Sequence, residues 1–385
     1  MKKDGEERVD FEYIGFGTIP KSVTHVRLLN SNSGLTIVEV RDDAFKDCDR
    51  LTEVVFNEDL YKIGQSAFHG CSSLKSIVLP STIIDIGHRA FYGCSSLKEV
   101  VLSEGIIQIG SRAFAHCSSL QSIIIPSTLT VIDNSTFSNC INLEQVVLNG
   151  GLKKIGQSAF HGCSSLKSIT IPSTVDYIEP CAFHSCGNLQ EVVLKDGIKR
   201  IGNFVFHCCK SLQSIVIPFT VIEIDQHAFY YCSSLREIEF HGVVQTIGEN
   251  AFANCQSLEK FTFPRLSTRL ESIIQTGHWQ EVEDKIDAIQ YRGIVRRGSE
   301  LSISAAEMNS PSYLPRSNWN SVIKQGVVSI NELIAYYEIK GATSLFELAL
   351  WKSRINQAGH GDINRDALRI DVPGPVKDAI LAYIS

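Results

Sequence analysis

Cysteine and histidine carry most of the reactive chemistry open to this 385-residue chain, which has 12 of the first and 11 of the second. Ten of the cysteines, Cys48 through Cys255, stand 23 residues apart. A converging set would bind zinc or form disulfides. A repeat instead projects equivalent positions in parallel, with Cβ atoms ~4.8 Å apart, whereas a disulfide brings them to about 3.8 Å with converging side chains. There is also no Cys-x-x-Cys pair. The column therefore reads as reduced, buried thiols packed as small hydrophobes. Cys181 and Cys208 lie off the register and are expected nearer the surface, where any redox role would have to lie. His161, His184 and His207 share another column, close enough for neighbouring imidazoles to share a metal. A parallel row lacks the convergence and second shell of a metal site, so exposed turn histidines are the simpler reading. No nucleophile motif, phosphate-cradling glycine loop or paired carboxylates stand out, and the chain reads as non-catalytic with no cofactor.

What positions these residues is a short repeat. Ten phenylalanines, Phe45, Phe68, Phe91, Phe114, Phe137, Phe160, Phe183, Phe206, Phe229 and Phe252, keep the same 23-residue spacing, and a leucine column from Leu51 to Leu258 runs with them. A period of this length held for ten copies predicts one small unit stacked into a solenoid. In the unit from Leu74 to Leu97, Leu74-x-x-Ile77-x-Leu79 alternates with period two, a strand signal. Ten such strands predict a single parallel sheet on the order of 50 Å long. Gly64, Gly87, Gly110, Gly156, Gly202 and Gly248 suggest a positive-φ corner, although Asp133, Glu179 and Asp225 take that place elsewhere. The Ala-Phe step predicts a brief helical or 3₁₀ turn opposite the strand.

Strand, Ile-Pro-x-x-Val-x-x-Ile-Gly and Ala-Phe-x-x-Cys-x-x-Leu, in that order, resemble the BspA-like leucine-rich repeats over about residues 40 to 264. The resemblance implies an α/β repeat fold, a right-handed leucine-rich-repeat solenoid with one parallel sheet, that binds partners, often at cell surfaces. An extracellular adhesion or carbohydrate-binding role is therefore one alternative, and a redox- or metal-responsive repeat protein another. Charged Met1 to Asp10 precede no apolar signal core, and no apolar run approaches the roughly 20 residues of a membrane span. The expectation is a cytoplasmic or nuclear protein without membrane insertion.

Three regions are expected. Residues 1–40 hold an N-terminal segment with a degenerate capping coil, in which Val26-x-Leu28 precedes Val54-x-Phe56 by 28 residues; 41–264 are the ten-unit solenoid; 265–385 are a mostly helical cap or domain. Trp279, Val282, Ile286 and Ile289 carry helical spacing, Ser329-x-x-Glu332 and Ser344-x-x-Glu347 resemble capping boxes, and residues 299–321 read as a loop. Pro80, Pro126, Pro172, Pro218 and Pro264 recur in alternate coils, a 46-residue period beneath the short one. The composition, 44% hydrophobic and 20% charged, suits a folded chain. The formal charge of −6 lies in residues 1–264, with 22 basic and 28 acidic side chains, and no basic cluster offers a nucleic-acid track.

Residues repeated ten times belong to the scaffold, so partner chemistry must lie on the outer strand face or in departures from the repeat. Period-two geometry turns Val55, Val78, Val101, Ile124, Val147, Thr170, Val193, Val216, Glu239 and Thr262 outward. Strand propensity alone accounts for many β-branched residues there. The alternative is a partly apolar groove for a protein or extended peptide, flanked by Glu53, Glu99, Glu191 and Glu237 alternating with serines. A second candidate is aromatic: Phe204, Phe219, Tyr230 and Tyr231 replace smaller or more polar residues in late coils. They read equally as interface anchors or as surface covered by the C-terminal region.

Overall fold

Each coil places Phe, Cys, Leu and three further Ile/Val/Leu columns, those of Ile77, Ile83 and Ile86, inside, and the stacked coils bury them in one continuous core. The computed structural model describes residues 9–13, 15, 19–28, 37–242, 244–262, 294–297 and 300–304. Along the axis the ten phenylalanine rings form a spine, with successive centroids 4.9–5.6 Å apart and planes within 18° of parallel. Tyr13 extends it below Phe45 at 5.0 Å. All ten rings are fully buried. Removing a ring of that size from water stabilises by about 2–3 kcal/mol, so the spine alone accounts for a large part of the core.

Two strands per coil, rather than one, form the sheets. A three- or four-residue strand such as Ser76–Val78 carries the outer stripe, and a two-residue strand such as Asp85–Ile86 follows it. The single-sheet expectation is corrected accordingly. The short strands stack into runs of four and six, whereas several long strands pair two by two: Ser76–Val78 with Glu99–Val101, Ser122–Ile124 with Gln145–Val147, Ser168–Ile171 with Glu191–Leu194. Proline explains the grouping. Lys195 and His241 donate their backbone N–H to Ile171 and Ile217 at 3.1 and 2.9 Å. Pro172 and Pro218 hold the same place in alternate coils and have no N–H to give to the strand before them. The 46-residue period is thus visible as strand pairing.

The expected helical turn around Ala-Phe is replaced by an alternating backbone. Residues two before and two after each core Phe have left-handed φ, as at Ser66 (52°), Arg89 (54°), Phe204 (57°) and Tyr231 (60°). Flipping every second residue makes N–H groups point alternately along the chain and across coils. Ser66, Phe68 and Gly70 donate to His88, Ala90 and Tyr92 of the next coil, while Ala67, His69 and Cys71 donate three residues back. An α-helix would satisfy only its own turns; this arrangement stitches coil to coil and offsets left-handed strain of about 1–3 kcal/mol per bulky residue. Among the described residues there is no helix.

The glycine column does a different job from the one expected. None of Gly64, Gly87, Gly110 and Gly248 has positive φ. A Cβ on any of them would stand 2.3–2.7 Å from a backbone nitrogen of the preceding coil, so glycine is there for close approach. At two of the three positions where an acid replaces it, the side chain reaches a base on the preceding coil, Glu179 to Lys154 at 2.8 Å and Asp225 to Arg200 at 3.0 Å, whereas Asp133 accepts from the Asn134 N–H at 2.7 Å.

At the ends, His25–Leu28 pairs parallel with Glu53–Val55, His25 opposite Glu53, which is the 28-residue offset of the capping coil. Asp10–Tyr13 adds one more parallel strand outside it. At the other end, Lys260–Thr262 pairs antiparallel with Glu300–Ser304, which turns back from Ile294–Arg297. The first residues of the expected 299–321 loop are therefore strand. The expected helices after residue 265 lie outside the described residues.

Candidate functional site

The outer stripe is built by register. Pairing sets Val78 beside Val101, Ile124 beside Val147, Thr170 beside Val193 and Val216 beside Glu239. Inward neighbours such as Ile77 and Val100 are buried, which drives the alternate residue out. Val78 is 67% and Ile124 65% exposed; Val55, Val101, Val147 and Val216 are exposed to lesser degrees, Thr170 is exposed, and Val193 is half-buried. Glu239 is held by His241 at 2.5 Å, and Thr262 is buried. The apolar row therefore runs from Val55 to Val216. Its flank is less acidic than the glutamates suggest. Lys75, Lys98, Lys167 and Arg236 stand exposed immediately before the flank residues, and Glu237 is tied to Lys260 at 3.2 Å. A partner meets a mixed-charge edge beside an aliphatic row.

Phe204, Tyr230 and Tyr231 come together through histidines the sequence reading did not connect with them. Phe204 lies flat on His227 at 4.7 Å and edge-on to His207 at 5.5 Å; Tyr230 stacks on His207 at 5.2 Å and meets Tyr231 edge-on at 4.6 Å. Most of this cluster is half-buried by its own contacts, which leaves Tyr231 as its exposed member. Phe219 belongs to another corner, after the strand Ser214–Ile217, where its backbone abuts Gly242.

The cysteine column is buried, and it does more than fill space. From Cys71 to Cys255, nine Sγ–H groups each donate to the carbonyl of the preceding coil's phenylalanine at 3.1–3.3 Å. Burial pushes the column thiols from Cys71 to Cys232 far from ionisation, Cys140 and Cys186 up to about 12. Cys181 and Cys208 are half-buried. His161, His184 and His207 stack face to face at 4.7 and 4.5 Å. Parallel planes send their nitrogens sideways rather than to a common centre, and burial depresses their basicity, His184 to about 4.

One surface was missed by sequence reasoning. Val38, Tyr61, Ile84 and Ile107 occupy one column in four successive coils and are all exposed, on the residue before the short strand pair. Their signal was present in the 23-residue register. It lay outside the strand predicted, so no outward face was assigned to it.

A family described as BspA type leucine-rich repeat region matches the chain in six copies over residues 38–167 and 153–274. Among solved structures, a leucine-rich repeat protein of Bacteroides ovatus is 28% identical, with 63% of this chain and 79% of that one covered at a TM-score of 0.38. A leucine-rich repeat protein of T. pallidum is 29% identical, covering 49% and 77% at 0.36, and a leucine-rich cell surface protein of Faecalibacterium prausnitzii is 25% identical, covering 59% and 83% at 0.34. Comparison with curated proteins gives no match.

Proposed function

The chain belongs to the BspA-type leucine-rich repeat family, and on that premise we propose that it is a non-catalytic scaffold binding a protein or extended peptide across its outer strand face. The observation that supports this reading is the outward row from Val55 to Val216, aliphatic apart from Thr170 and led by Val78 and Ile124. Water gains nothing from such a row, and covering it releases about 25 cal/mol per Å² of apolar area. A face of many similar positions derives affinity from accumulated contact, with the mixed-charge edge selecting partners. We place the protein in a reducing compartment, cytoplasmic or nuclear, because the nine column thiols need their protons to donate.

The test compares partner capture from native lysate by the wild-type chain and two variants. Val78→Lys, Ile124→Lys and Val147→Lys together put charge across the stripe without touching inward columns, so the thermal midpoint should stay within a few degrees while capture falls at least tenfold. Phe204→Ala with Tyr231→Ala should change capture less than twofold. The reverse pattern moves the binding site to the aromatic cluster and leaves the stripe as strand propensity.

A further inference from the structure

The ring ladder on the turn side is interrupted. One residue after each core phenylalanine, His69 and Tyr92 stack at 4.9 Å, and further along His161, His184, His207 and Tyr230 stack in steps of 4.5–5.2 Å. Between the two runs the column holds Ala115 and Ser138. The missing rings leave a cavity of about 510 Å³, floored by these two residues, ended by Tyr92 and His161, and sided by Arg89 and Arg112. That volume lies within the range of small-molecule and side-chain pockets, roughly 300–1,000 Å³. His116 leans onto Tyr92 at 5.0 Å and 54° and closes one end only in part.

The charge of this gap is out of keeping with its surroundings. Arg89 and Arg112 occupy the same left-handed position in adjacent coils, φ 54° and 58°, so they rise from points ~5 Å apart along the axis. No carboxylate lines the cavity, and neither guanidinium has an ion-pair partner among the described residues. Arg200, by contrast, is clamped by Glu223 and Asp225. Arg89 Nε is buried without an acceptor, and its guanidinium sits 5.7 Å from the Tyr92 ring centre. A desolvated cationic donor lacking an acceptor is costly, and an incoming anion would relieve that cost. Burial keeps His161 and His184 neutral, so they offer ring faces rather than added charge.

We propose that this gap binds a planar ring bearing a phosphate: the ring takes one of the two missing rungs, over Ala115 or Ser138, and the phosphate oxygens accept from Arg89 and Arg112. Two guanidiniums without counter-charge match a dianion, and the ring at either end of the slot offers a stacking face to an aromatic in the adjacent rung. A phosphotyrosine side chain and a nucleoside monophosphate share this chemistry.

The experiment is calorimetric titration of the whole protein with phenyl phosphate, inorganic phosphate and phenol. Phenyl phosphate should bind at least tenfold tighter than either half-ligand. Arg89→Gln with Arg112→Gln should weaken it at least tenfold. Ala115→Tyr with Ser138→His installs rings the same column carries in neighbouring coils, so the variant should fold and lose binding. Capped phosphotyrosine and adenosine monophosphate are then compared, and the tighter of the two identifies the source. Equal affinity for phenyl phosphate and inorganic phosphate overturns the proposal, as does undiminished binding by the filled variant.

Discussion

Phe137→Ala tests the spine at mid-array. The ring is fully buried between Phe114 at 5.6 Å and Phe160 at 5.4 Å, nearly parallel to both. Its backbone also takes part in the stitching: the N–H donates to Ala159 at 2.9 Å and the carbonyl accepts the Cys163 thiol at 3.2 Å. Alanine keeps those backbone bonds, so the loss isolates side-chain packing. Removing a buried phenyl group costs about 3–5 kcal/mol through transfer and cavity, and two broken ring contacts place this site at the upper end. Coils touch only their neighbours, so the defect should also uncouple the two halves. Urea unfolding followed by circular dichroism should show a lower midpoint and a broadened or split transition. Val147→Ala, on the exposed stripe of the same coil, serves as the control and should cost under about 0.5 kcal/mol. A Phe137→Ala loss below about 1 kcal/mol would refute the spine as the seat of stability.

Other outcomes follow from the same contacts. Thiol labelling of the native protein should modify Cys181 and Cys208 before any column cysteine, and fast labelling of Cys140 or Cys186 would contradict their burial. The folded pKa of His184, about 4, lies below its ordinary 6.5, so its neutral stack contributes stability that is present above pH 6.5 and lost as pH falls toward 4. Between pH 6.5 and 5 that loss is about 1–2 kcal/mol after allowing for partial exposure, and His184→Phe, which keeps a ring in the stack, should flatten the slope; an unchanged slope counts against it. Deleting the residues after 264 removes the strand Glu300–Ser304 from Lys260–Thr262 and leaves an open edge, which light scattering should report as self-association; a monomer of unchanged thermal midpoint would show that this pairing is dispensable.

Much of this molecule is legible in the period of its chain. Phenylalanine, cysteine and leucine recur at one spacing beside strands that alternate with period two, and both signals are local, so core columns, outward stripe and repeat fold all follow from them. Other features depend on what stands beside a residue 23 positions away. Gly248 is glycine because the backbone at Gln226 approaches it, and Pro172 and Pro218 divide the strands because they have no N–H to give to the strand of the preceding coil. The left-handed backbone at Arg89 and Phe204 is set by bonds to the next coil at Ser111 and Gln226, which overrides the intrinsic preference of those side chains. The period alone puts His161, His184 and His207 in one column, but that their rings lie face to face and half-buried rather than as exposed turn residues depends on the coil rise of about 5 Å. Ala115 and Ser138 carry no signal of their own. They form a cavity only because the columns on either side hold rings, and the distance between coils is a property of the packed solenoid rather than of any single repeat.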